Sequence, residues 1–265
     1  MSNMEFLNPN SVNTTTQITV STGSNTSRFF DRRQSEQYTS VGDNSDLTTT
    51  TITIEFSSSQ DINRIVLENI NWKSFNSYYN SNSANLFSLT SADTGTADWN
   101  TNSQTNIYMK LEATKSCTSI SFEITATAVA DEEKKCGQVW ACGQRFALDS
   151  NPDAKSYKPK VNRKEYAHKM SDGGTTTYFI NDNFDGNIKL NYVSQTVYDN
   201  LKSLYNLKTS FVFVPFPTAT AWEQNFSVAR IYEVNWIKSF DFEQYAKNTL
   251  ELGHKGMIRL RETPK

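Results

Sequence analysis

Thr51-Ile-Thr-Ile-Glu-Phe56 places Ile52, Ile54 and Phe56 on one side of an extended chain and Thr51, Thr53 and Glu55 on the other. Successive side chains of a strand point to opposite faces, so this run predicts a half-buried antiparallel strand with one wet face. Ser57-Ser-Ser-Gln-Asp61 then supplies turn-forming residues. Ile62-Asn-Arg-Ile-Val-Leu67 opens a second apolar run towards Trp72, and a hairpin is the economical expectation. Leu86–Leu89, Ile107–Leu111, Ser119–Ile124 and Cys136–Cys142 read as further short strands, with a loop at Ser91–Thr105. Strands at this density point to a sandwich or a barrel.

The same logic extends in both directions. Upstream, the Ser/Thr/Asn-rich segment to residue 26 holds one alternating run, Gln17-Ile-Thr-Val20, and reads as an arm or an edge strand. Downstream, Asp149-Ser-Asn-Pro-Asp153 and Tyr157-Lys-Pro159 break any regular pattern, so a linker is expected over 149–160. Beyond it, Thr175–Ile180 and Asn187–Val193 read as strands. Val197, Leu201, Leu204 and Tyr205 recur at helical spacing within Gln195–Tyr205. Phe211-Val-Phe-Val214 is uninterrupted and β-branched or aromatic, the pattern of a strand buried on both faces, and Pro215 and Pro217 stop it. The expected class is therefore mainly β in two domains: a sandwich or barrel over 27–148 and a second β domain, barrel or sandwich with one short helix, over 161–265.

A formal charge of −2 does not suit a protein that neutralises many phosphates, so no nucleic-acid partner is expected. The charge is uneven, with a net −6 over residues 1–150 and +4 over 151–265. Opposite signs suit head-to-tail packing of subunits, as they suit two solvated surfaces. Neither a secretory leader pattern nor a membrane-spanning run is present, and synthesis as a soluble cytosolic chain is expected. Cys117, Cys136 and Cys142 are an odd number and are expected as free, buried thiols.

The only histidines, His168 and His254, lie in Lys164-Glu-Tyr-Ala-His-Lys169 and in the turn-like Leu252-Gly-His-Lys-Gly256, and read as surface residues. Cys136 and Cys142 on one strand would stand roughly 20 Å apart, too far to share a metal ion. Gly42–Asp46 and Asn181–Gly186 carry carboxylates and amides without the closing bidentate Glu of a calcium loop, so both are expected to be turns, with calcium the alternative for the first. Ser171-Asp-Gly-Gly174 lacks the lysine of a phosphate loop and reads as a tight turn. No enzyme, metal or cofactor is therefore expected. Trp72, Tyr78, Tyr79, Trp99 and Trp222 are the residues that could stack on a sugar or anchor a partner, against the alternative of core packing. Arg64–Phe75 and Arg230–Phe240 also resemble each other around an Asn-Trp pair, a likeness that strands of similar composition can reach by chance.

Ser27-Arg-Phe-Phe-Asp-Arg32, Tyr38-Thr-Ser40 and the runs Thr51–Phe56 and Ile62–Leu67 together resemble the opening of a discoidin-like (coagulation factor 5/8 C-type) β-sandwich, over roughly residues 27–145, which implies that the N-terminal sandwich is a jelly roll. Asn69-Ile-Asn-Trp-Lys-Ser-Phe75 looks like the variant of that strand found in bacteriophage tail proteins. Gly256-Met-Ile-Arg-Leu-Arg-Glu262 is similar to the last strand of the barrel used by tail-tube, distal-tail and hub proteins. The resemblance implies a virion structural component made in the host cytoplasm. It would be a homo-oligomeric ring subunit of the tail end or baseplate, packed against other tail proteins. The alternative that it implies is a carbohydrate-binding adhesin module that contacts host-surface glycans.

Overall fold

The computed structural model describes residues 3–31, 36–42, 44–80, 85, 87, 105–152, 155–171, 173–215, 231–246 and 252–263. Its strands are β1 (Glu5–Leu7), β2 (Ile18–Val20), β3 (Tyr38–Thr39), β4 (Thr50–Glu68), β5 (Trp72–Tyr79), β6 (Asn106–Thr127), β7 (Lys135–Cys136), β8 (Gln138–Cys142) and β9 (Gln144–Ala147). They continue as β10 (Tyr157–Lys169), β11 (Thr175–Val193), β12 (Phe211–Val214), β13 (Tyr232–Trp236), β14 (Asp241–Ala246) and β15 (Leu252–Glu262), with helix α1 (Gln195–Asn206) between β11 and β12. The chain is mainly β and its strand pairs are antiparallel.

The hairpin expected at Ser57–Asp61 is not formed. β4 runs through that polar stretch and pairs with β6 on both sides of it, from Thr50↔Ile124 to Glu68↔Asn106, with the register shifting between Glu55 and Gln60 and again between Ile62 and Arg64. A bulge lets a strand bend without ending, so turn-forming residues here bend the sheet instead of reversing the chain. Gly143 marks how tightly this bend is packed. A Cβ there would stand 2.5 Å from the Asp61 carbonyl oxygen, so only glycine lets β8 pass into β9 against it.

One sheet has the order β2-β4-β6-β5, with β8 also on β4, and β2 lies at one edge. A second has the order β10-β11-β15-β13-β12-β1-β9, with β14 on β15, apart from the two-stranded pair of β3 and β7. This second sheet is open, since β10 and β9 form its two ends and do not pair. Both ends of the sequence contribute to it. Phe6 pairs with Phe213 on one side and Phe146 on the other, so the first strand lies inside the sheet built mostly by residues after 157. β10 itself begins at Tyr157, within the span expected as linker.

Three apolar clusters hold these layers. Ile52, Ile54, Trp72, Phe75, Phe122 and Ile124 belong to the core of the first sheet. Phe6, Phe146, Phe211, Phe213, Val234 and Leu260 belong to a second core, which α1 covers with Val197, Leu201 and Leu204. Leu7, Val212 and Val214 of the second sheet meet Val66, Tyr108 and Trp140 of the first in a third. Alternate residues of Phe211–Val214 thus serve different cores, which is why that strand is apolar throughout. Ser194 caps α1, its hydroxyl accepting from the Val197 amide at 3.3 Å.

Candidate functional site

Of the residues singled out in the sequence, Trp72, Tyr78 and Tyr79 are described, and these three do not form an open aromatic site. Trp72 is 0% exposed, edge-on to Phe75 at 5.4 Å and 5.7 Å from Phe122, so it is core and cannot touch a ligand. Strict alternation would put Trp72, three residues before Phe75, on the opposite face, but the register of β5 against β6 slips between them and both rings turn inward. Tyr79 packs partly buried against the same core, beside Phe87 at 5.1 Å. Tyr78 is half-buried, and burial together with the Glu123 carboxylate raises its phenol pKa. Trp99 and Trp222 lie outside the described residues, as do Asp43 of the Gly42–Asp46 stretch and most of the Ser91–Thr105 loop.

The polar motifs also resolve differently. Asn181–Gly186 is not a turn but part of β11, paired with Lys164–Pro159 of β10. Leu252–Gly256 is strand as well, and His254 is 5% exposed instead of lying on the surface. Its ring stacks on Tyr198 at 3.9 Å and its Nε2 meets Gln195 Oε1 at 2.9 Å, so it joins α1 to β15. Met170 and Gly174 close the tight turn expected at Ser171–Gly174. The three cysteines are free and buried; burial raises the Cys117 thiol to about 11 and the other two still further, which makes all three poor nucleophiles. Among the described residues no three His, Cys, Asp or Glu side chains gather to hold a metal ion.

Three of the concavities lined by described residues bear on function. The first, of about 390 Å³, is lined by amides beside the β4 bend, but these are already engaged. Asn10 bonds the Val12 and Ala141 amides and the Val139 carbonyl, and Gln17 bonds Asn13, Thr14 and Ser11. Its amides hold the N-terminal segment in place and leave few groups for a ligand.

The second is a cleft of about 670 Å³ between the C-terminal end of α1 and the loop after β13. Tyr205 and Trp236 stand at 75° with ring centroids 5.6 Å apart, and Asn235, Lys208, Thr209 and Lys238 complete the wall. Both aromatic residues are half-buried; Trp236 packs against the second core, and Tyr205 rests on Trp236 and on Phe240 at 5.6 Å. The Trp236 indole N–H is buried with no acceptor among the described residues. Lys208 follows the helix with φ +54°, a left-handed conformation in which glycine or asparagine is usual. The backbone therefore holds a lysine at the cleft against its own preference. In the sequence Tyr205 belongs to the helix face and Trp236 to a strand; the available signal was the polar pair Lys238-Ser239, one residue beyond a strand-terminal Trp.

The third, of about 490 Å³, lies on the solvent face of β10, β11 and β15 and is lined by Lys155, Lys158, Lys189, Lys238 and Arg259. Asp185, 4% exposed, accepts from Arg259 at 3.4 Å and from Arg261 at 3.0 Å. Burial alone would raise its pKa, but the two guanidiniums hold it below the ordinary 3.8. A depressed carboxylate pKa contributes stability above the unfolded value and loses it as the pH falls through the folded one. Asp185→Asn is accordingly expected to lower Tm at neutral pH, and its deficit against the wild type should shrink as the pH drops below 3.8. Thermal scans over a pH series would show a constant deficit if the ion pairs contribute nothing.

No protein-family model and no curated protein matches the chain. Solved structures are similar to part of it. Chitosan-binding module 1 from a chitosanase/glucanase of Paenibacillus sp. IK-5 is 16% identical over 48% of this chain and 93% of the module, at a TM-score of 0.36. CBM32-3 from a family 31 glycoside hydrolase of Clostridium perfringens is 12% identical over 49% and 92%, at 0.36. The lectin domain of lectinolysin, complexed with Lewis B antigen, is 10% identical over 47% and 90%, at 0.34.

Proposed function

We propose that this is a non-catalytic carbohydrate-binding protein whose binding surface is the cleft between α1 and the loop after β13. The observation that carries the reading is the pair Tyr205 and Trp236, set at 75° in an open cleft with amide and ammonium donors around them. Aromatic faces stack on the apolar C–H face of a sugar ring at low entropic cost, while a few placed polar groups fix its hydroxyls. Glycoside hydrolysis needs two carboxyl groups across the scissile bond, and no carboxylate, thiol or imidazole lines the cleft among the described residues.

The tail-ring reading has less to support it. β15, whose ending resembles that of tail barrels, is paired with β11 on one side and with β13 and β14 on the other, so its backbone is not free to join a neighbouring subunit.

Trp236→Ala is expected to weaken binding by at least about thirtyfold, the loss of a central aromatic anchor. The check is a polysaccharide panel read by tryptophan fluorescence and calorimetry, with Tyr205→Ala as a second variant and unfolding curves for both. Absence of binding by the wild type across the panel, or equal binding by both folded variants, would sink the proposal.

A further inference from the structure

The third concavity adjoins the cleft, because Lys238 lines both. Its geometry follows from sheet register. Lys158 of β10, Asn187 of β11 and Arg259 of β15 are direct cross-strand partners, so all three side chains share one face, with Lys158 and Arg259 two strand spacings, roughly 10 Å, apart. Lys189 lies two residues further along β11 on that face, opposite Met257, and its amide donates to Ser156, the neighbour of Lys155. The Ile237 amide donates to the Arg259 carbonyl, which brings the loop carrying Lys238 to the same end.

Lys155, Lys158, Lys189 and Lys238 are all exposed, and none has an ion pair among the described residues. Two carboxylates face them. Asp185 is held by Arg259 and Arg261, and exposed Asp241 stands opposite Met257 at the rim. Five cations set against these two leave a positive groove in the half of the chain that carries the positive net charge. Like charges spaced along a groove repel one another, and a ligand with repeated negative groups relieves that repulsion.

We infer that the carbohydrate is an acidic polysaccharide, with ring faces against Tyr205 and Trp236 and carboxylates along the lysines of the adjoining groove. This inference deepens the carbohydrate-binding reading and rests on it. Lysine ammonium groups act as point charges that follow a flexible polyanion without demanding the paired geometry of an arginine fork.

The test titrates the full chain with polygalacturonate, hyaluronan and polysialic acid, each also in its carboxyl-esterified form, so that every pair shares its sugar rings and differs in charge. At least one acid form is expected to bind roughly tenfold more tightly than its own ester at low salt. The preference should vanish near 1 M salt, where the screening length falls to about 3 Å. Lys158→Gln with Lys189→Gln, both exposed, should bring the acid-to-ester ratio towards one at an unchanged Tm. Equal binding of acid and ester, or a preference that survives the double substitution, overturns the acidic assignment and leaves carbohydrate binding standing. If no form of any polysaccharide binds, both readings fall. Duplex DNA bound as tightly, with the same lysine and salt dependence, would make the groove a general polyanion surface and overturn the inference.

Discussion

Arg64→Ala is expected to lower the free energy of unfolding by about 3–5 kcal/mol, because it strands a carboxylate between two sheets. Arg64 is 3% exposed and Glu5 4%. The Arg64 Nε donates to Glu5 Oε2 at 3.0 Å and to the Tyr108 hydroxyl at 2.8 Å, while Nη2 donates to Glu5 Oε1 at 3.2 Å and to Gln144 at 3.0 Å. Tyr108 closes the network by donating to Glu5 at 2.9 Å. Burial would lower the guanidinium pKa, but Tyr108 and Glu5 hold it above its ordinary value; burial and Glu5 raise the phenol well above its own. Both groups therefore stay protonated across the neutral range.

The network ties β1 to β4, β6 and β9, so one deletion loosens the joint between the two sheets. Replacing Glu5, Arg64 and Tyr108 together by Leu, Met and Phe should restore most of the loss, since a buried ion network is costly to break yet replaceable by apolar packing. Denaturant midpoints of the single and triple variants decide it. A loss below about 1 kcal/mol for Arg64→Ala would mean that water reaches Glu5 and that the joint is open.

Phe6→Ala should cost a similar amount, about 3–5 kcal/mol. The ring is 0% exposed, stacked on Phe146 at 4.8 Å and within 5.4 Å of Phe213. It also sits on the strand that hydrogen-bonds to both β9 and β12, so the cavity opens where residues from three distant parts of the chain meet. Urea unfolding gives the loss, and a cycle with Phe146→Ala should show coupling, because the rings are in contact. A cost near zero would mean that the N-terminal strand is dispensable, the behaviour expected of an arm that orders only on assembly.

The contrast between that arm and the observed strand shows how far local sequence reaches. Ile52, Ile54 and Phe56 face inward as their alternation requires, Val197, Leu201 and Leu204 bury the helix face that their spacing defines, and Phe211–Val214 is buried on both sides. These are properties of single elements, set by the period of the backbone and by side-chain hydrophobicity, and they are written within a few neighbouring residues.

The tertiary structure alone decided what each element pairs with. Ser57–Asp61 has the composition of a turn, but β6 offers a bulged partner and the strand continues through it. Glu5-Phe-Leu7 is too short to show a pattern and becomes an interior strand because two neighbours leave a gap of its width. The candidate site belongs to this second kind. Tyr205 and Trp236 lie 31 positions apart, on a helix and a strand whose approach depends on the packing of Leu204, Val234 and Leu260, and Lys158 and Arg259 share a face only through the register of β11 between them. Alternation specifies which face a residue occupies within its own strand, whereas the identity of its neighbours on that face is a long-range choice that no local period encodes.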